Sequence, residues 1–224
     1  MPVKSTPTPT ARVREFRRRL LRWFRRHGRD LPWRRTRDPY AVLVSEVMLQ
    51  QTQVARVAEY WPRFLARYPT VAALAAARPA AVRESWDGLG YYRRAENLHR
   101  LARLVHARDG GRLPEDPVAL RQLPGVGRYT AGAVASFAFE RAEPAVDTNV
   151  ARVLRRAFHP RARGAAGERR LWQAAANLHT RHGAGAWALN QALMELGALV
   201  CTARVARCTA CPVRPLCTTG RVRR

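Results

Sequence analysis

Apolar residues recur at helical spacing along most of the chain. In the first segment Val13, Phe16, Leu20, Leu21 and Phe24 fall on one face, and arginines occupy the other. The same spacing predicts further helices over 41–50, 54–68, 91–107, 129–139, 148–158, 169–182 and 187–200. Segments rich in Gly or Pro predict loops at 30–39, 109–117 and 159–167. No long stretch alternates between apolar and polar residues, so the sequence predicts an all-α fold.

The composition places the chain among globular proteins. Apolar residues make up 47% of its 224 residues, which is enough to build a core and excludes wholesale disorder. The longest apolar run, 71–77, is far shorter than the roughly 18 residues that cross a bilayer. No secretory leader precedes the first arginine cluster, so we expect a cytoplasmic protein with no membrane partner.

The charge balance changes this picture most. Forty-one Lys and Arg residues against sixteen Asp and Glu give a net charge of +25, which favours a nucleic acid as partner. An arginine-rich genome composition would explain arginines at solvent positions, but not why acids are so few. Lys4 is the only lysine, and a guanidinium cannot act as an amine nucleophile. Schiff-base chemistry would therefore need Lys4 or the terminal amine.

Four cysteines lie close together near the C-terminus. They are Cys201, Cys208, Cys211 and Cys217, separated by six, two and five residues. Only one of these gaps is the close pair typical of a structural zinc site, and no histidine lies between the cysteines. The spacing favours an iron–sulfur cluster over zinc, and either metal centre over disulfides.

A Gly-x-Gly turn separates two predicted helices. Gly125 and Gly127 permit a tight turn, and the next helix begins at about Gly127 with Arg128 in its first turn. The amides at such a helix start form a seat for phosphate, without any sequence preference. The alternative is an ordinary helix connector, and the basic composition favours the phosphate seat.

Two carboxylates are candidates for acid–base chemistry. Glu46 lies among apolar residues, which should raise its pKa and suit a general acid, unless it faces solvent. Asp147 occupies a helix N-cap position, and capping alone could explain it. Asn149 could orient that carboxylate. One protonated and one ionised carboxyl group are what hydrolysis of an N-glycosidic bond requires, although the sequence does not bring them together.

Several motifs must be considered jointly. They are LPWR at 31–34, SEVMLQQTQV at 45–54, GLGYY at 88–92, LPGVG at 123–127, Asp147 with Asn149, and the cysteine array. In this order, from Leu31 to Cys217, they resemble the MutY-type adenine DNA glycosylases of the helix-hairpin-helix superfamily, which also contains endonuclease III. The resemblance implies a monomeric base excision repair enzyme that removes adenine opposite 8-oxoguanine or guanine from double-stranded DNA.

The resemblance also assigns roles to individual residues. Glu46 would protonate adenine, Asp147 would stabilise or trap the sugar cation, and Asn149 would orient Asp147. Tyr129 occupies the position at which lyase-type relatives carry lysine, which agrees with a glycosylase that does not cleave the strand. Further implied positions are the duplex wedges Gln51 and Tyr91, the base pocket Trp33, Arg34, Leu49 and Gln191, the hairpin contacts Gly125, Gly127 and Arg128, and four cysteine ligands of a 4Fe–4S cluster.

The implied architecture has two helical domains with DNA in a cleft between them. A six-helix barrel carrying the hairpin would span 36–145, and the iron–sulfur domain would combine 12–35 with 146–217. Residues 1–11 would be a flexible tail and 218–224 a basic tail. We expect the domain that reads 8-oxoguanine in most relatives to be lacking after Cys217.

Other functions remain open. Thr148 stands where many relatives have glycine, and the resulting Asp-Thr resembles the lyase branch. A mismatch thymine or uracil DNA glycosylase shares the carboxylates, the tyrosine and the cluster, although its counterpart of the MLQQT segment usually differs. A non-catalytic DNA-binding module is the third possibility, but such a module has no use for a buried acid.

Overall fold

The computed structural model describes residues 9–180 and 185–222, and these fold as helices and turns. Within these residues the only β-pairing is an isolated bridge between Cys201 and Ala206, so the predicted all-α class is confirmed. None of the described helices is both long and apolar enough to cross a membrane. The chain divides into two compact units, and each is described separately below.

The first unit, here called the hairpin unit, comprises residues 30–139. Its helices are α2 (Pro39–Leu49), α3 (Val54–Arg67), α4 (Val71–Ala76), α5 (Pro79–Glu84), α6 (Arg93–Asp109), α7 (Pro117–Leu120) and α8 (Arg128–Phe139). Helix α2 is buried from Tyr40 to Met48 and packs against α3, α6 and α8. Its N-terminus is fixed by Asp38, whose carboxylate accepts a hydrogen bond from the Ala41 amide, and by Pro39 in the first turn. Helix α2 is therefore the central element of this unit.

The second unit, here called the split unit, combines the described residues on either side of the hairpin unit. Its helices are α1 (Pro9–His27), α9 (Thr148–Phe158), α10 (Gly164–Leu178) and α11 (Ala186–Leu199). Phe16 and Leu20 are fully buried in its core, which confirms the apolar face predicted for α1. Val213 and Leu216 join the same core from the cysteine-bearing segment. That segment is thereby anchored to the helices by apolar contacts.

Several boundaries differ from the predictions. Helix α1 begins at Pro9, inside the predicted tail 1–11, and residues 1–8 of that tail lie outside the described residues. Helix α10 begins at Gly164, within the predicted loop 159–167. Gly167 lies in its first turn, where a Cβ would come within 2.7 Å of the Ala162 carbonyl carbon. The prediction over 169–182 extends past the end of α10, and its last two residues lie outside the described part.

The predicted basic tail also differs at its start. The amides of Thr218 and Thr219 donate to the carbonyls of Ala157 and Arg156, so this stretch is attached to the end of α9. The guanidinium of Arg12 donates to the Leu216 carbonyl at 2.9 Å and to the Thr218 hydroxyl at 2.9 Å, from helix α1. The C-terminal segment is therefore part of the split unit up to this point.

Candidate functional site

Glu46 lies within α2 and is buried, with 3% of its surface exposed. The hydroxyl of Tyr129, in the first turn of α8, donates to Glu46 Oε2 at 2.7 Å. Helix α2 packs on α8, and this packing brings the two side chains together. The solvent-facing alternative for Glu46 is therefore wrong. The Glu46 carboxyl group is therefore buried and accepts a hydrogen bond from a phenol on the neighbouring helix.

Asp147 precedes α9 and caps it, because its Oδ1 accepts a hydrogen bond from the Val150 amide at 2.6 Å. Its other oxygen accepts from Asn149 Nδ2 at 3.0 Å, so the predicted orienting contact is present. Burial raises the pKa of Asp147 above its ordinary value, and the hydrogen bonds from Val150 and Asn149 partly offset that rise. Capping and a functional role are compatible, since the cap fixes the carboxylate in place.

Arginines on one face of α9 connect this carboxylate to the cysteine-bearing segment. Arg152 Nη2 donates to Asn149 Oδ1 at 2.7 Å, and Arg152 Nε donates to the Cys201 carbonyl at 2.7 Å. One turn later, Arg156 Nη1 donates to Cys201 Sγ at 3.3 Å. Sequence reasoning missed both arginines. Their spacing from Asn149, three and seven residues, places all three on one helical face and could have indicated them.

All four cysteines are free thiols, and they line a single small cavity of about 30 Å³ in the split unit. Two of the sulfur atoms accept hydrogen bonds from the protein. Arg156 donates to Cys201 Sγ, and the Gly220 amide donates to Cys217 Sγ at 3.1 Å. Disulfides, the least favoured of the predictions, are absent among these four cysteines. The cavity and its donors favour a centre that carries negative charge on sulfur.

The four thiols do not form a preassembled site for a single ion. Within the described residues, no three Cys, His, Asp or Glu side chains converge on one ion position. Burial raises the pKa of the Cys211 thiol to about 11 and that of Cys217 above its ordinary value. Binding a metal centre here would therefore release protons.

The predicted hairpin lies between α7 and α8, which pack together. Gly125 has φ +77°, and a Cβ there would lie 2.8 Å from Asn97 Cβ, so the fold itself requires glycine at this position. Gly127 has no such constraint, because a Cβ would meet nothing within 4 Å. Gly127 is exposed and Arg128, exposed beside it, begins α8. The open space leaves room for a phosphate to approach the backbone at the helix start.

Gln51 and Tyr91 are both exposed, and both have left-handed backbone conformations, with φ 57° and 49°. Tyr91 is 59% exposed, which is unusual for so large an aromatic ring. Sequence reasoning singled out both residues but missed Arg94, a buried arginine that contacts both loops. Leu98, Leu101 and Val105 repeat at helical spacing after Arg94, and this pattern could have placed Arg94 on the buried face of α6.

The predicted base-pocket residues are distributed over both units. In the hairpin unit Trp33 is buried, with its ring centroid 6.4 Å from that of Trp61, and Arg34 and Leu49 are half-buried. Gln191 is buried in α11 of the split unit. Glu46 and Asp147 likewise belong to different units, whereas the four cysteines and Asp147 share the split unit.

Comparisons with known proteins were made for the sequence and for the fold. Residues 44–176 match the family described as HhH-GPD superfamily base excision DNA repair protein. An adenine DNA glycosylase of Rattus norvegicus is 47% identical over 92% of this chain, and one of Mycolicibacterium smegmatis is 48% identical over 87%. These matches cover 42% and 66% of the relatives, so the chain spans less than two thirds of their length.

Other relatives match over nearly their whole length. A thymine-DNA glycosylase of Aeropyrum pernix is 38% identical over 92% of this chain and 94% of its own length. Among solved structures, a thermostable thymine-DNA glycosylase superimposes with a TM-score of 0.85 at 31% identity, covering 94% of this chain and 97% of its own. A trapped covalent intermediate of endonuclease III with DNA gives a TM-score of 0.81 at 25% identity, covering 96% of this chain and 98% of its own.

Proposed function

Because the chain belongs to the HhH-GPD superfamily of base excision DNA repair proteins, we propose that it is a monofunctional DNA glycosylase. Its substrate is adenine, the base named by its adenine-specific relatives, and the opposing base, 8-oxoguanine or guanine, follows from the resemblance of its motifs to the MutY type. The observation that carries the proposal is the buried Glu46 carboxyl group with its Tyr129 donor. It acts as a monomer on mispaired double-stranded DNA.

The reaction follows from the two carboxyl groups. Glu46 gives its proton to the extruded adenine, and the N-glycosidic bond then breaks with its electron pair leaving on the base. Asp147 faces the sugar cation and stabilises it, or bonds to C1′ until water replaces it. Water supplies the hydroxyl group at C1′, and its remaining proton returns to a carboxylate. The products are free adenine and an abasic site.

The lysine count supports the absence of strand cleavage. Tyr129 stands in the first turn of α8, at the position where lyase-type relatives carry lysine, and its hydroxyl is engaged with Glu46. Lys4 is the only lysine in the sequence. Strand cleavage through a Schiff base therefore has no internal amine, and the DNA strand stays intact until alkali breaks it at the abasic site.

DNA contacts are divided among three features of the hairpin unit. Gly125, Gly127 and Arg128 bind phosphate through the start of α8, without sequence preference. Gln51 and Tyr91 enter the duplex beside the extruded base, where an aromatic ring can stack on neighbouring bases. Trp33, Arg34 and Leu49 of the hairpin unit are the proposed contacts of the flipped adenine.

Four thiols around one small cavity are the kind of donor set that a 4Fe–4S cluster uses, so its ligands would be Cys201, Cys208, Cys211 and Cys217. Such a cluster supplies a rigid brace for the C-terminal segment, with no part in base release. That segment carries Arg204, Arg207 and Arg214, which can contact the DNA backbone. Purified protein is expected to be yellow-brown, with iron and sulfide in equal amounts. A colourless protein with stoichiometric zinc would contradict the cluster.

A thymine or uracil mismatch glycosylase is the second candidate, favoured by one specific observation. A thymine-DNA glycosylase of Aeropyrum pernix is 38% identical, and a thermostable thymine-DNA glycosylase superimposes with a TM-score of 0.85. Thr148 also departs from the glycine found in many adenine-specific relatives. These features bear only on which base is removed, because the carboxylates and the hairpin suit an adenine and a thymine or uracil substrate equally.

A panel of mismatched duplexes tests the choice directly. Duplexes carrying A:8-oxoguanine, A:G, T:G and U:G are incubated with the protein, and abasic sites are then cleaved with alkali. We expect cleavage at A:8-oxoguanine and A:G. Cleavage only at T:G or U:G would overturn the adenine assignment in favour of the second candidate. Binding to all four duplexes without any cleavage would instead indicate a non-catalytic DNA-binding module.

A further inference from the structure

Arg94 is the second residue of α6, and its side chain is buried, with 9% of its surface exposed. No carboxylate within the described chain pairs with it. Its guanidinium instead donates to five backbone carbonyls and one hydroxyl. All six bonds come from Nη1 and Nη2, whose four N–H groups are therefore shared among the acceptors, while Nε has no partner among the described residues. The planar fork of arginine spans acceptors on two sides, whereas lysine has three donors on a single nitrogen.

These acceptors come from two segments that lie far apart in sequence. On one side Nη1 donates to the carbonyls of Val47 at 3.0 Å, Met48 at 2.7 Å and Gln50. These groups belong to the last turn of α2 and the residue after it, where a helix leaves its carbonyls without intrahelical partners. Nη2 donates to Thr52 Oγ1 at 3.0 Å in the same segment. The guanidinium therefore bonds the residues on both sides of Gln51, which are Gln50 and Thr52.

On the other side Nη2 donates to the carbonyls of Leu89 at 3.2 Å and Gly90 at 3.0 Å, immediately before Tyr91. The guanidinium carbon also lies 5.5 Å from the ring centroid of Tyr91. The Trp86 indole donates to the same Gly90 carbonyl at 3.2 Å, so this loop is held from two directions. Arg94 thus contacts both the backbone before Tyr91 and the aromatic ring itself.

The two exposed residues next to these contacts, Gln51 and Tyr91, have unfavourable backbone conformations. Gln51 and Tyr91 adopt left-handed φ values without being glycine, and Glu140, outside the hairpin unit, is the only other such residue among those described. Conformations of this kind persist only where surrounding contacts enforce them, and they concentrate at functional sites. Here one side chain, that of Arg94, contacts the neighbours of both Gln51 and Tyr91.

We propose that Arg94 is a positioning residue that holds the 50–52 and 88–91 loops together, so that Gln51 and Tyr91 project from the surface as one preassembled wedge. This inference rests on the proposed function, because the wedge matters only if a base is extruded from a duplex. Preassembly means that the cost of ordering both loops is met in folding and not when DNA binds.

The first test examines the loops without any reaction. In the full chain, native-state hydrogen exchange should show the amides of 50–52 and 88–91 opening together, with the same dependence on denaturant. Arg94→Lys should accelerate exchange in both loops. Arg100→Lys makes the same substitution at an exposed position of the same helix and should change neither loop. Independent opening of the two loops, or faster exchange in one loop alone, would overturn the proposal.

The second test separates base extrusion from base release. Single-turnover excision is measured on an A:8-oxoguanine duplex and on a DNA bubble in which the target adenine is already unpaired. Arg94→Lys should slow excision about tenfold or more on the duplex, and far less on the bubble. In a Tyr91→Ala background the same substitution should cost little more, because the effects of coupled residues are not additive. Arg100→Lys should leave both rates unchanged.

The outcomes also separate this inference from the proposed function. Equal slowing of Arg94→Lys on both substrates, or additivity with Tyr91→Ala, would overturn the positioning role while excision by the unsubstituted protein stands. Absence of excision by the unsubstituted protein on every substrate would overturn the proposed function. In that case the hydrogen-exchange comparison still decides whether Arg94 couples the two loops.

Discussion

At the residue scale, the two candidate carboxylates have different environments. Glu46 is buried in a largely apolar helix and accepts a hydrogen bond from the Tyr129 phenol, whereas Asp147 is fixed at a helix terminus by an amide and by Asn149. The sequence placed Asp147 at its cap correctly, because capping is a local signal. The sequence did not determine whether Glu46 faces solvent or the core, because a helix that is buried on every side has no polar face to serve as a reference.

The Tyr129 contact can be tested by removing one oxygen atom. Tyr129→Phe keeps the ring and its packing but removes the donor to Glu46, so the carboxyl group loses its fixed orientation. We expect base release to slow about tenfold while DNA affinity is kept. Glu46→Gln, which cannot donate a proton from a carboxyl group, should lose about a hundredfold or more. Equal rates for Tyr129→Phe and the unsubstituted protein in single-turnover assays would remove Tyr129 from this role.

Asp147→Asn separates the cap from the chemistry. Asparagine caps helices as well as aspartate does, so the free energy of unfolding should stay within about 1 kcal/mol of the original at neutral pH. Because burial raises the pKa of Asp147, the stability it contributes is fully present below its unfolded pKa and is lost as pH rises through the folded pKa. The substitution should therefore help stability most at neutral or higher pH.

The same variant should bind DNA but release no base, since an amide cannot stabilise the sugar cation as a carboxylate does. Chemical denaturation at acidic and neutral pH, together with a single-turnover excision assay, measures both effects. Retained turnover would remove Asp147 from the reaction, and a large loss of stability would show that its role is mainly structural.

At the element scale, long amphipathic helices were predicted well and short ones were missed. Helices α4, α5 and α7 have four to six residues, too few for a periodic pattern to emerge. Their local signals are caps: Thr70 accepts from the Ala73 amide, and Asp116 accepts from the Ala119 amide ahead of Pro117. The role of Arg94 depends on contacts across more than forty residues, which no local pattern contains.

The hairpin glycines provide a matched pair of substitutions. Gly125→Ala places a Cβ against Asn97 at a positive φ, so we expect a loss of about 1–3 kcal/mol in unfolding free energy. Gly127→Ala meets nothing in the protein and should leave stability unchanged, yet its methyl group would obstruct a phosphate at the start of α8. DNA affinity should fall for Gly127→Ala in a binding titration. Unchanged affinity would mean that the hairpin is only a connector.

At the scale of the whole molecule, charge is the dominant property. A net charge of +25 arises almost entirely from arginine, and many of these residues are exposed, including Arg14, Arg18, Arg22, Arg25 and Arg26 along α1. Others are structural, since Arg94, Arg152 and Arg156 satisfy carbonyls and a thiol within the protein. Composition alone predicts attraction to a polyanion, but it cannot separate these two populations.

Salt dependence measures how many arginines contact DNA. Because each neutralised phosphate releases counterions, the logarithm of affinity should fall linearly with the logarithm of salt concentration, with a slope of about −0.9 per phosphate contact. We expect a steep line for nonspecific duplex DNA. Arg128→Gln should reduce the slope by about one contact, and a matched exposed variant on the far end of α6, Arg108→Gln, should leave it unchanged. A flat profile would contradict the polyanion interpretation.

The central claim is that Glu46 and Asp147 together hydrolyse the bond between adenine and its sugar. Chromatography of a single-turnover reaction on an A:8-oxoguanine duplex measures free adenine and strand integrity in one experiment. The account predicts one adenine released for each abasic site, with the strand unbroken before alkali. At equal DNA occupancy, release should be about a hundredfold or more slower for Glu46→Gln and absent for Asp147→Asn. Adenine release by both variants at the original rate would contradict it.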